Sequence, residues 1–206
     1  HGSRALSAGA EGRPSLEWVP IEQVHTSLQP LRGNRGARSS ARELGPAPLR
    51  VVATGDGGYE LLDGFKRLAR WRVLGLERVP VMVEPSCTQA ERKALLLQAN
   101  RPPRTLSPMD EARVVWSLRH DDELGPATIA QLCGRKRRWV MQRLTLAEQL
   151  AEPLKRRLDE GSLGVSVAHA LCALGHDEQQ SVADAAVRHR LKCHEALSLL
   201  SAYRVA

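Results

Sequence analysis

Apolar positions recur with two spacings along this chain, and the elements they predict change in kind near residue 104. Leu16-Glu-Trp-Val-Pro-Ile-Glu-Gln-Val24 reads as an extended segment broken by Pro20 and followed by a short helical turn. Ala41–Gly45 reads as the end of a short helix, and Pro48–Val52 as a strand. Gly55-Asp-Gly-Gly58 is a turn, after which Tyr59, Leu61 and Asp63 alternate with Glu60 and Leu62 as the second strand of a hairpin. A helix follows at once. Gly64 sits at its start, Leu68, Trp71 and Leu74 mark its apolar repeat, Gly75 ends it, and Val79–Val83 is a short apolar run of the buried-strand kind. Gln89–Asn100 has helical spacing and is stopped by Pro102-Pro103.

Beyond that point every predicted element is a helix. Ser107 is a good N-cap, Pro108 suits the first helical position, and Asp110-Glu111 put negative charge where the helix dipole favours it. Residues 128–144, TIAQLCGRKRRWVMQRL, carry the spacing of a helix-turn-helix: Thr128 as cap, small Ala130 for a close helix crossing, Gly134 for the turn and Val140 as the core anchor. Helices at Leu150–Asp159, about Asp177–Arg190 and Lys192–Tyr203 complete this half, with Gly161 closing the first of them.

The basic residues give the pattern its chemistry. The 206 residues carry 30 Lys and Arg against 23 Asp and Glu, a net charge of +7 and a pI of about 9.7, which favours a polyanionic partner. Charge alone does not choose among polyanions, but its placement narrows the choice. Arg135, Lys136, Arg137, Arg138, Gln142 and Arg143 project from the second helix of the helix-turn-helix, and Thr128 and Gln131 from the first. Such groups neutralise phosphates, and Arg and Gln also pair with base edges through two hydrogen bonds. Trp139, set among these charges, reads as a residue packed against a neighbouring helix. In the first half, Gly64 followed by Lys66, Arg67 and Arg70 outlines an anion site at a helix N-terminus.

Other chemistries find less support. Cys87, Cys133, Cys172 and Cys193 are scattered, with no CxxC pair, and neither a secretory signal nor a run of membrane-spanning length occurs, so a reducing cytoplasm is the expected setting. His169, Cys172, His189, Cys193 and His194 supply metal-ligand types, but their spacing matches no established zinc pattern. No Ser-His-Asp or Cys-His arrangement can be argued from spacing, and no catalytic residue is assigned. His1-Gly2-Ser3 reads as residue left from cloning, and residues 4–14 as a loose lead-in.

The strand, glycine, basic helix and strand over residues 58–83 resemble the nucleotide-binding domain of the ParB family of DNA partition proteins, whose signature is a Gly-Glu-Arg-Arg turn. Here the turn is Gly64-Phe65-Lys66-Arg67. Gln29-Pro30-Leu31-Arg32 is similar to the family's Gln-Pro-Arg element, and Leu106–Ala112 to its Leu-x-Pro-x-Glu-x-Ala segment. Leu163–Leu171 is similar to the stretch that follows the family's helix-turn-helix. The fold implied is an α+β ParB/sulfiredoxin-like domain over residues 15–104, followed by an all-α DNA-binding domain over residues 105–206. Sulfiredoxin's reactive cysteine would belong in the glycine turn, where this chain has none.

The resemblance implies CTP with Mg2+ as ligand, held by Gly64, Lys66, Arg67 and Asn100, with Arg32 and Arg104 nearby. The family's Glu-Asn-x-x-Arg motif is altered: Asn100 is kept, Ala99 replaces the glutamate, and Pro103 stands at the arginine. With Phe65 also standing where the family has an acidic residue, a metal-holding carboxylate is missing from both motifs, which implies that hydrolysis is weak or absent. A homodimer on a palindromic double-stranded DNA site is implied, in plasmid or chromosome partition on a nucleoid or plasmid in the cytoplasm, with a partition ATPase as further partner. The alternatives are a nucleotide-independent ParB-like regulator and, on the same fold, a nucleotide-dependent kinase.

Overall fold

In the computed structural model, residues 14–33, 47–99, 106–189 and 191–203 are described. The lead-in, the expected helix end at Ala41–Gly45, Asn100, Arg101, Pro103 and Arg104 lie outside them. The chain forms two compact units. One contains residues 14–30 and 47–99; the other contains residues 31–33 with the described residues from 106 onward.

The first unit is built on a five-stranded mixed sheet of order β1-β5-β3-β4-β2, with β1 at Ser15–Pro20, β2 at Val24–His25, β3 at Leu49–Ala53, β4 at Tyr59–Asp63 and β5 at Arg78–Glu84. β3 and β4 form the expected antiparallel hairpin. β5 runs parallel to β3 and antiparallel to β1, and β2 runs parallel to β4. Helix α1, Phe65–Val73, follows β4 directly and presses Leu68 onto Val19, Leu49, Val51, Leu61, Val79 and Val81, with Phe65 and Trp71 partly buried beside them. Leu74 departs from the expected apolar face: it forms the helix C-cap and is 63% exposed, because Gly75, at φ +71°, turns the chain away. Helix α2, Gln89–Ala99, packs against β4.

Glu60, a polar position of β4, is buried at 3% exposure. Its carboxylate accepts the Leu28 N–H at 3.1 Å and the Ser27 hydroxyl, which ties the turn after β2 to the sheet. A buried carboxylate is tolerable when hydrogen-bonded in this way.

The second unit is helical: α3 Pro108–His120, α4 Pro126–Leu132, α5 Arg137–Gln149, α6 Glu152–Asp159, α7 Val165–Leu171, α8 His176–Arg188 and α9 Cys193–Tyr203. Ser107 caps α3 as expected, and Asp110 completes a capping box by accepting the Ser107 N–H at 2.7 Å. Met109, Ala112, Leu146, Leu150, Leu154, Leu158, Leu171, Val182 and Leu200 belong to one core. Leu191 and Leu197 pack against that core, whereas Leu199 is 39% exposed. Residues 31–33 join this unit: the Gly33 N–H donates to Asp110 Oδ1 at 2.5 Å, beside an Arg113 that bridges Asp110 and Asp159.

Candidate nucleic-acid interface and nucleotide cradle

The two halves of the helix-turn-helix are α4 and α5. Thr128 is not the cap of α4. The helix starts three residues earlier than that cap would place it, with Gly125 as N-cap and Pro126 at the first position, and Thr128 is exposed in the first turn. Pro126 supplies the fixed φ and the missing N–H that suit a helix start, so no side-chain cap is needed there. Ile129 and Ala130 are buried, while Gln131 is exposed in the last turn.

The turn closes on Gly134 at φ +59°. Its N–H donates to the Gln131 carbonyl at 3.1 Å, and the Arg135 N–H to the Ala130 carbonyl at 2.9 Å, a helix ending that places a left-handed residue where glycine stands. α5 then starts with Lys136 as N-cap and is seated by Val140, Leu144 and Leu146, all buried. Ala130 and Val140 thus occupy the crossing and anchor positions read from the sequence.

Arg135, Lys136, Arg137 and Arg138 are exposed and make no ion pair among the described residues. Gln142 is half-buried on the next turn and lines an open hollow with Gly134, Arg135, Lys136, Arg138 and Trp139. Arg143 stands apart. Its Nε and Nη2 donate to Glu111 Oε2 of α3 at 2.8 and 2.7 Å, and both side chains are mostly covered, at 13% and 15% exposure. Trp139 meets guanidinium groups of Arg135 and Arg143, each 5.2 Å from its ring centre, where helix packing was expected. The spacing of 139 and 143 carries part of that signal, since residues four apart share a helix face, whereas Arg135 precedes the cap of α5 and reaches the ring from the turn.

In the first unit, Gly64 is the N-cap of α1 at φ +100°. A Cβ there would lie 2.5 Å from Leu49 Cδ2 and 3.1 Å from Arg67 Nη2, so the glycine serves chain direction and packing together. Arg67 is folded over this turn. It donates to Asp63 Oδ2 at 3.1 Å, to the Pro48 carbonyl at 2.9 Å and to the Ala47 carbonyl, and its side chain is 13% exposed. Lys66 and Arg70 are exposed on the same helix. Gly64, Lys66 and Arg67 thus sit together; Arg32 belongs to the second unit, and Asn100 and Arg104 are outside the described residues.

Two groups titrate away from their ordinary range in ways that bear on chemistry. Burial pushes the Cys172 thiol up to about 11, which makes it a poor metal ligand or nucleophile at neutral pH. Burial also raises Cys87. Among the described residues no three His, Cys, Asp or Glu side chains gather as a metal site, and no helix is long and apolar enough to cross a membrane.

Comparison with known proteins agrees with this geometry. The family described as the ParB HTH domain matches residues 104–204. A probable chromosome-partitioning protein ParB of Vibrio cholerae is 28% identical over 191 residues, covering 91% of this chain and 59% of that protein. A probable chromosome 1-partitioning protein ParB of Deinococcus radiodurans is 35% identical over 133 residues, covering 64% and 45% respectively. The chain therefore spans about half the length of these relatives. The C-terminally truncated ParB of Caulobacter crescentus, solved on the centromeric parS site, shares the fold with a TM-score of 0.56 at 22% identity, over 90% of this chain and 98% of that one. An α+β unit with its glycine turn before α1 thus precedes, in sequence, a helical unit that belongs to the ParB HTH domain family.

Proposed function

We propose that this protein is a partition-type DNA-binding protein that docks α5 in the major groove of a centromere-like duplex. The observation that carries the reading is the start of α5. Arg135 and Lys136, just ahead of α5, and Arg137 and Arg138 in its first turn are exposed without a carboxylate partner among the described residues, and the helix is seated by buried Val140, Leu144 and Leu146. Thr128 and Gln131 of α4 face the same phosphates, and Gln142 reaches a base edge. Arg143, paired with Glu111, supports this surface from behind. A homodimer would read a palindrome with two such helices. Cargo is a chromosome or plasmid in the cytoplasm, and a partition ATPase is the partner that moves it.

The nucleotide half of the proposal is CTP at the α1 turn, on Gly64, Lys66 and Arg67, the described members of the ligand set that the resemblance implies. Mg2+ does not fit what the described residues offer. Asp63, the carboxylate next to the turn in sequence, is engaged by Arg67, and Phe65 and Ala99 supply no oxygen ligand. No hydrolytic step is assigned. A second reading, DNA binding without nucleotide, is favoured by the same commitment of Arg67 to Ala47, Pro48 and Asp63.

The deciding experiment is titration of a labelled parS duplex and a scrambled duplex of equal length at several salt concentrations, with CTP, ATP or no nucleotide. Preference for parS supports partition-type recognition, and a change confined to CTP supports the gated form. Equal binding to both duplexes would overturn the partition reading; preference unaffected by any nucleotide would select the second.

A further inference from the structure

Four side chains form a continuous stack from α3 to the mouth of the DNA-reading turn. Glu111 holds Arg143 through two guanidinium nitrogens, and the guanidinium carbons of Arg143 and Arg135 each lie 5.2 Å from the centre of the Trp139 ring. The far end is anchored and nearly covered, whereas Arg135 is exposed. Glu111 neutralises Arg143, so the two arginines can share one indole without both presenting an unscreened charge. Arg135 is thereby the exposed member of the cluster, and it lines the hollow that Gln142 also lines.

A free arginine samples many rotamers and loses them on binding, and a stacked one has lost them beforehand. Preorganisation of this kind matters most where geometry matters most. A phosphate accepts a guanidinium from many directions, but guanine O6 and N7 accept both of its prongs only in one plane. We propose that Trp139 and Glu111 are positioning residues that aim Arg135 at a guanine edge, so that the stack sets sequence preference rather than general affinity for duplex. This rests on the reading of α5 as a DNA reader.

The test starts by selecting preferred duplexes from a randomised library with the wild-type chain. Affinity for a selected duplex and for a scrambled one is then compared in Trp139→Ala, Trp139→Phe, Glu111→Gln, Arg135→Ala and the Arg135→Ala/Trp139→Ala double variant, with circular dichroism as the check on folding. Trp139→Ala should reduce the ratio of the two affinities about tenfold, the size of one bidentate base contact, and leave the salt slope unchanged. In the Arg135→Ala background it should add less than about twofold, since coupled residues are not additive. Trp139→Phe, which retains an aromatic face, should recover most of the ratio, and Glu111→Gln should reduce it about threefold.

Equal weakening on both duplexes, or a full additional loss in the Arg135→Ala background, would overturn the proposal while leaving the DNA reading intact. A wild-type chain that enriches no sequence would overturn both. If Trp139→Ala fails to fold, Trp139→Phe and Glu111→Gln decide: an unchanged ratio in Glu111→Gln overturns the proposal.

Discussion

Gln179 and Ala151 are joined by a buried hydrogen bond of 2.9 Å, in which the Ala151 N–H at the start of α6 donates to the side-chain oxygen of a residue on α8. The amide nitrogen of Gln179 completes the bridge by donating to the Gln149 carbonyl at 2.8 Å and to the Leu174 carbonyl at 3.0 Å. One fully buried side chain thus satisfies the end of α5, the start of α6 and the turn before α8. Gln179→Leu fills the space but orphans three backbone groups, and should cost about 2–4 kcal/mol of stability. Urea denaturation should show a lower midpoint with an unchanged slope.

Gly64→Ala combines a positive φ with a Cβ placed 2.5 Å from Leu49, and should destabilise the first unit by about 2 kcal/mol or more. Arg67→Ala removes three hydrogen bonds as well as a proposed phosphate ligand. It should lower stability by about 1–2 kcal/mol besides losing nucleotide. The sequence implied an Arg67 that acts on ligand alone; its internal acceptors add the structural role. Thermal melting without nucleotide separates the two effects.

Replacing Arg135, Arg137 and Arg138 together by alanine should reduce duplex binding at least a hundredfold near physiological salt and lower the slope of log affinity against log salt by roughly 2–3. Lys155 is engaged by Glu152 at 2.7 Å on the surface of α6. Its replacement should leave sequence preference unchanged and weaken all duplexes alike. Fluorescence anisotropy across a salt series checks both.

The Asp56 carboxyl is held below its ordinary range by the Thr54 hydroxyl and then by the Gly58 N–H, which donates at 3.1 Å. A lowered folded value means that the hairpin turn gains stability above the ordinary aspartate range and loses it as pH falls through the lowered value. The Gly58 amide resonance should therefore titrate in acid with a midpoint below that of a model aspartate, and Asp56→Asn should abolish that titration.

Cys193 is exposed, whereas Cys172 is buried, donates to the Ala168 carbonyl at 3.3 Å and has its thiol pushed up to about 11. Iodoacetamide at pH 8 should modify Cys193 within minutes and leave Cys172 untouched until the chain is denatured. Peptide mass mapping before and after urea treatment reads this directly.

Much of the local architecture was legible because its causes lie within a few residues. Ser107 and Pro108 start α3, Gly134 turns the chain, Val140 anchors α5, and the turn at 55–58 makes the hairpin. Caps, turn glycines and apolar spacing act over one or two helical turns, so a sequence displays them. Thr128 misled because a serine or threonine near a helix start resembles a cap, although Pro126 had already opened the helix.

What tertiary structure alone decided were the partners of charged side chains. Arg143 lies among basic residues that resemble a single reading face, and only the crossing of α3 over α5 brings Glu111, 32 residues away, onto it. Glu60 looks like the outward member of a strand until the turn at Ser27 and Leu28 covers it. Residues 31–33 are fixed to α3 by Asp110, 77 residues distant from Gly33. A long polar side chain can serve solvent, ligand or protein equally well by its chemistry, and which of them it meets is set by elements that its own neighbourhood in sequence does not encode.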